Sequence, residues 1–316
     1  MINGKAETSI RKSKGIFNAF TEAKKEQFFG VLFASPAILG FFIFFLGPII
    51  ASIFYSLTDF TGFSEPHFIG LENYINIAIN KDTFFYKSLF ATFYFVLLNV
   101  PVSIIFSFFT ALLLSQQIKG KAIFRAILYF PSIAPLVAMS FIWLWLLNPD
   151  LGLFNQILRY LHLPTSMWLA SESTVIPSLV FTMLWSSGGT IVTFLAGLET
   201  IPKHYYEAAD IDGGNSFHKL IHITIPMLSP TIFFNTIMLI INSFQIFAQP
   251  YIMTEGGPNN ASLFFIFYIW REAFKVSHMG YASALAWVLF LIIMIFSFLL
   301  FRTQKSWVYY EGGKRS

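Results

Sequence analysis

SLFATFYFVLLNVPVSIIFSFFTALLLSQQI, residues 88–118, contains no Asp, Glu, Lys or Arg. At about 1.5 Å per residue, a helix of this length crosses a hydrocarbon core of about 30 Å with room for tilt. The run is continuously apolar. A membrane β-strand would alternate apolar and polar residues over about ten positions, so the pattern is that of a helix. Working outward, uncharged runs recur at 28–58, 126–149, 173–198, 220–254 and 276–301. They predict an all-α membrane protein of six transmembrane helices, over about 28–58, 88–118, 122–148, 173–198, 226–249 and 279–301.

Composition agrees. Of 316 residues, 56% are hydrophobic, 40 are Phe, and the mean hydropathy is +0.65. Only 11% are charged, against about 25% in soluble domains, which excludes an ordinary soluble enzyme and a disordered chain. The net charge of +4 is too small and too dispersed for a nucleic-acid binder. With no cysteine, disulfides and thiolate chemistry are excluded. The first run starts after 27 residues and is twice the length of a signal h-region, so it reads as a retained span.

Basic residues orient the bundle. With both termini and the second and fourth loops on one side, that side holds 15 Lys and Arg and the other holds 5, while the 16 acidic residues divide equally. By the positive-inside rule the 1–27 segment, the 199–227 loop and the 302–316 tail are cytoplasmic. No acidic residue falls inside a span, which disfavours a proton- or sodium-coupled carrier. No G-x-x-x-x-G-K-[ST] string is present either, so nothing predicts ATP binding by this chain, and it reads as no enzyme.

The fourth loop, ETIPKHYYEAADIDGGNSFHKLIHITIPMLSP (199–230), is expected to form two short helices about a hinge. Pro202 suits a first helical turn, Gly213 and Gly214 a C-cap, and Asn215 or Ser216 the next N-cap. His218 and His222 stand four apart. With no Cys or carboxylate beside them in that pattern, they read as polar helix surface rather than a metal site.

Glu207-Ala208-Ala209, three residues, Gly213, nine residues, Ile223, one residue, Ile225 and Pro226 resembles the EAA loop of ATP-binding-cassette importer permeases. The usual Leu before the proline is Ile225 here. FIGLENY (68–74), FRAILYFPSIAP (124–135) and MTEGGPNNAS (253–262) extend the resemblance to the sugar-uptake branch. The resemblance implies the six-helix bundle of a type I importer permease in a bacterial cell membrane. It implies a second and different permease, two ATPase subunits that hold ATP and magnesium, a solute-binding protein outside the cell, and a sugar as cargo. No cofactor is implied on this chain. Glu207, Ala208, Ala209, Gly213, Ile223 and Pro226 would couple it to the ATPase.

Two sets of residues suggest a path. Asn235, Asn242, Gln245 and Gln249 step by seven, three and four, which puts neutral amides on one helical face, with Ser243 beside them. Amides donate and accept, which suits an uncharged polyhydroxyl solute, although interhelical bonding is the competing role. On the preceding span Thr182, Ser186, Gly189, Thr190 and Thr193 follow helical steps, with Trp185 among them to stack on a sugar ring. The family places the path near Thr182, Trp185, Ser186 and Gly189. A different small solute in the same architecture stays open as the alternative. Trp143 and Trp145 are expected as an interfacial aromatic pair.

Overall fold

In the computed structural model the described residues are 24–79, 83–116 and 119–309; the expected segment before residue 24 and the tail beyond residue 309 lie outside them. They form two compact units that divide between Tyr55 and Ser56. The first is built on α1 (Lys24–Ser56), long and apolar enough to cross a membrane. A π-turn over Phe42–Leu46 interrupts it, and the Gly47 N–H reaches back five residues to the Phe42 carbonyl. Pro48 follows at once. A proline lacks the N–H of its turn and crowds the carbonyl four residues back, and widening the preceding turn relieves that crowding.

The second unit has no strand among its described residues, only an isolated bridge between Thr58 and Phe68. Its helices are α2 (Glu72–Ala78), α3 (Thr83–Ser115), α4 (Lys121–Ile133), α5 (Leu136–Leu146), α6 (Leu153–Tyr160), α7 (Val175–Trp185), α8 (Gly188–Glu199), α9 (Lys203–Ile211), α10 (Ser216–Phe244), α11 (Ala248–Met253), α12 (Phe265–Trp270) and α13 (Met279–Trp307). The helices α3, α10 and α13 can each cross a membrane; with α1 and the bent pairs α4–α5 and α7–α8 counted as one span each, there are six.

Both bends have local causes. Ala134 is extended, with ψ 144°, because Pro135 excludes the helical region for the residue before it, and the pair turns by 102°. The α7–α8 pair turns by 53° at Ser186-Ser187, where the Ser187 hydroxyl takes the Leu184 carbonyl at 2.7 Å. Gly188 makes room there: a Cβ on it would lie 2.8 Å from the Leu128 carbonyl of α4.

The core is assembled around α3, which packs against α7, α8, α10 and α12. Phe95 of α3, Leu179 of α7 and Phe264 share one buried cluster, and Phe244, Phe265 and Leu285 another. Nearer the 199–227 loop, Phe108, Phe194 and Leu228 form a third. Trp143 is inside, 5% exposed and stacked on Phe154, so of the expected interfacial pair only Trp145 is exposed. Periodicity cannot separate these two positions, because lipid and protein interior are equally apolar.

The FIGLENY stretch has a structural account. Its Phe68 pairs with Thr58, Gly70 takes a left-handed turn with φ +64°, and Asn73 is buried. The Asn73 amide donates to the carbonyls of Ser56 and Thr58, both at 2.9 Å, and Tyr74 donates to the Ser56 hydroxyl. One side chain thus closes the turn that leaves the first span. Asn73→Ala removes the donor from two buried carbonyls, at about 1–3 kcal/mol for a group left unsatisfied. The purified protein is expected to melt several degrees lower, and Asn73→Asp, which also loses the NH2, is expected to do the same. Wild-type melting of both variants would show that the turn is held elsewhere.

Candidate functional site

The 199–227 loop is a rigid, two-limbed structure. Pro202 stands in extended conformation at the start of α9. At the far end the Gly213 N–H bonds the Asp210 carbonyl and the Gly214 N–H bonds the Ala209 carbonyl, with Gly213 at φ +76°. These are the two bonds of a Schellman stop, which needs a left-handed residue at that position. Asn215 then caps α10, its side chain accepting from the His218 N–H at 2.8 Å. The second limb is therefore not the separate short helix expected from the sequence. It is the first turns of the long α10, with a π-turn over Leu220–Thr224 whose bond runs from the Ile225 N–H to the Leu220 carbonyl. Pro226 follows that π-turn as Pro48 follows the first.

Side chains fasten the limbs together. Lys219 pairs with Asp210, and the Tyr206 hydroxyl meets that of Thr224 at 3.0 Å. His218 and His222 stack at 4.1 Å, and the ring of His222 also meets the His218 carbonyl. Tyr206, Leu220, Ile223 and Met227 pack against the Phe108–Phe194–Leu228 cluster, which seats the loop on the bundle. From the C-terminal side, Trp307 and Phe301 pack edge-on against Phe233 of α10, and the Tyr309 N–H donates to Ser229.

The loop residues named from sequence divide into two roles. Ile223 and Pro226 are partly buried, and Ile223 belongs to the seat. Glu207, Ala208 and Gly213 are exposed, and Ala209 is half-buried. The sequence reading missed Ile211 and Phe217, which are 87% and 68% exposed beside them. The available signal was an isolated large apolar residue on either side of the polar Asp212–Ser216 turn. The result is a small apolar ledge on a braced support.

The polar stripe does not stay on one face. Asn242 and Gln245 are exposed, whereas Asn235, Ser243 and Gln249 are buried. Ser243 accepts from Asn99 of α3 at 2.9 Å, and Asn99 accepts from Ser103, so this trio ties α3 to α10. The helical register ends at Phe244, and Gln249 belongs to the separate α11. Asn235 Nδ2 and Gln249 Oε1 are buried without a hydrogen-bond partner. On the other span Thr182 is fully buried and bonds the Leu179 carbonyl. Trp185 and Gly189 are exposed and Ser186 is half-buried, all at the α7–α8 break. Trp185 lines an apolar cavity of about 630 Å³ in the crook of α4 and α5, with Phe130, Trp143 and Phe154. The exposed amides thus lie at the end of α10, around Gln245, and the half-buried Ser186 lies at the α7–α8 break.

Residues 103–306 match the family described as the binding-protein-dependent transport system inner membrane component. The probable ABC transporter permease protein YesP of Bacillus subtilis (strain 168) is 36% identical over 315 residues, 98% of this chain and 99% of YesP. The arabinooligosaccharides transport system permease protein AraP of the same organism is 31% identical over 304 residues, 94% of either chain. Among solved structures, a chain of a bacterial alginate ABC transporter, in complex with an alginate pentasaccharide-bound periplasmic protein, has a similar fold. The TM-score is 0.78 at 17% identity, over 90% of this chain and 96% of that one.

The Schellman stop makes the loop's shape depend on the backbone at residue 213. No atom lies within 4 Å of a Cβ placed there, so only the positive φ resists substitution. Gly213→Val is expected to destabilise the loop by about 1–2 kcal/mol, and Gly213→Asn by clearly less, since Asn tolerates the left-handed region. Protease sensitivity of the 199–227 segment reads the difference. Equal sensitivity of the two variants would refute a conformational role for Gly213.

Proposed function

The chain belongs to the family of inner membrane components of binding-protein-dependent transport systems, and from that premise we propose that it is the permease subunit of an ATP-driven importer for a sugar or oligosaccharide. The observation that carries the coupling role is the braced loop with its exposed apolar ledge. A loop that merely connected two spans would not need two caps, an ion pair, an inter-limb hydroxyl bond and a hydrophobic seat while leaving Ile211 and Phe217 in water. The ledge supports docking of an ATPase subunit. Ala208 allows close approach, Ile211 and Phe217 supply buried apolar area, and Glu207 offers a carboxylate to a basic partner group. ATP and magnesium are then held by that subunit. The excess of basic residues around this loop and at both ends supports a cytoplasmic position for it.

The cargo reading rests on relatives such as AraP, named for arabinooligosaccharides, and on the neutral exposed amides. The path runs past Asn242 and Gln245 at the end of α10, and past Trp185, Ser186 and Gly189 at the break in the preceding span. Thr182 bonds a carbonyl of its own helix, and Ser243 accepts from Asn99, which ties α10 to α3. A second permease closes the path from the other side, and a solute-binding protein delivers the sugar to the face opposite the coupling loop.

Two outcomes test the two halves separately. Burying an isoleucine is worth roughly 1.5–3 kcal/mol, so Ile211→Asp is expected to lower ATPase affinity at least about tenfold with membrane insertion unchanged. Full co-purification of the ATPase with this variant would move docking elsewhere. An amide hydrogen bond contributes about 0.5–1.5 kcal/mol net, so Asn242→Ala or Gln245→Ala is expected to change uptake, or preference among sugars, about two- to twelve-fold per assembled complex. Wild-type uptake and preference in both variants would make these amides surface groups without cargo contact.

A further inference from the structure

The short helix α6 lies between the two bent spans, on the side of the bundle opposite the 199–227 loop. Eight residues do not hold a helix in water unaided. This one is fixed from within. Phe154 stacks on Trp143 and meets Trp168 and Phe181. Asn155, 1% exposed, donates to the carbonyls of Pro149 and Ser166 and accepts from the Ser166 N–H and the Trp168 indole. Its orientation to the bundle is therefore set, and so is the direction of every other side chain on it.

Successive helical residues turn by about 100°, which sorts the sequence into three arcs. Phe154, Asn155 and Leu158 face the bundle. Gln156 and Arg159 occupy a second arc, with Gln156 donating to the Leu151 carbonyl and Arg159 to those of Pro149 and Asp150. Leu153, Ile157, Tyr160 and Leu161 make the third, at steps of four, three and one. They are 44%, 45%, 84% and 55% exposed, although the inner face of the helix is packed on the bundle. The three arcs are centred about 120° apart. The exposed apolar arc continues an apolar surface: Ile142 and Trp145 of α5 precede it and Leu163 and Met167 follow it, all exposed.

We infer that α6 is an interfacial helix, lying parallel to the membrane plane on the side opposite the coupling loop. Its Leu153–Ile157–Tyr160 stripe enters the acyl–glycerol boundary of that leaflet, and its Gln156–Arg159 arc faces water. A helix with one protein-facing, one wet and one apolar exposed arc fits this boundary and no bulk phase, because water leaves the third arc unsatisfied and hydrocarbon the second. An apolar face at such a boundary sits about 5–10 Å below the headgroups. The occupant is lipid, independent of the cargo, and the helix sets the depth at which both bent spans end.

The chain has no cysteine, so single labels report cleanly. The assembled transporter, with cysteine-free partner chains, is reconstituted in phosphatidylcholine vesicles carrying Ile157→Cys, Tyr160→Cys or Gln156→Cys, each tagged with an environment-sensitive fluorophore. Quenching is measured with a nitroxide lipid labelled high on the acyl chain and with aqueous iodide. The stripe positions are expected to be quenched by the lipid nitroxide at least about twofold more than Gln156, and by iodide at least about twofold less, with no change when the solute-binding protein is added. Equal iodide quenching at all three sites overturns the inference in favour of a water-exposed helix. Protection of the stripe that appears only with the binding protein, or shielding from both quenchers without it, overturns it in favour of a protein-covered face. Should Ile157→Cys fail to assemble, Tyr160→Cys at the most exposed position carries the same comparison.

Discussion

Hydrocarbon offers the backbone no hydrogen-bond partner, and the architecture of this chain follows from that constraint. Each spanning segment must satisfy its own N–H and C=O groups, which leaves the helix as the form available to a continuous apolar run. Departures from regular helix therefore appear where the chain supplies an alternative partner or a reason. Two π-turns precede Pro48 and Pro226, and each re-routes an N–H to a carbonyl five residues back. Hydroxyls take carbonyls three or four residues away within the spans, as Thr92 does with Ser88, Ser140 with Leu136 and Ser187 with Leu184. Where both devices fail, at Pro135 and at Gln245, the helix stops and a new one begins.

The same constraint explains which parts of the fold were legible in the sequence. The uncharged runs located all the long helices because charge exclusion is a property of the run itself. The ends were less legible. The last helix reaches Trp307, past the expected end at residue 301, because a helix continues through polar residues once it leaves hydrocarbon. The caps at Gly213 and Asn215 were readable because they are decided within a few residues by backbone chemistry. The inter-limb fastening of Tyr206 to Thr224 was not, since it depends on how two limbs meet in space.

Facing was the hardest property to read. In a soluble helix the polar face marks water, so periodicity reports direction. In a span whose surroundings are apolar on every side, the pattern carries little of that information. Hence Trp143 is buried while Trp145 is exposed, and Ser243 bonds inward while its neighbour Asn242 is exposed. What the pattern could mark was a set of residues unusual for lipid. Whether each met another helix or an open surface was settled by packing against α3, through Asn99 in the case of Ser243.

The breaks also divide the bundle mechanically. The helix α10 runs over 29 residues from Ser216 in the loop to Phe244, roughly 43 Å at 1.5 Å per residue. It runs unbroken through Pro226 and Pro230, neither of which has an N–H to donate, and the π-turn shifts one bond rather than opening the backbone. Its two ends are the cap beside Gly213 and the exposed pair Asn242 and Gln245. Two other spans are jointed, at Ala134-Pro135 and at Ser186-Ser187. Under the importer reading, a displacement imposed on the loop reaches the path through a stiff lever, while the jointed spans take up the change in angle. Rigid-body motion of packed elements about a few terminal residues is an established way to turn a small local shift into a rearranged path. This arrangement needs the loop to move with α10 rather than flex against it. The Lys219–Asp210 pair and the seat on Phe108 and Leu228 supply that condition.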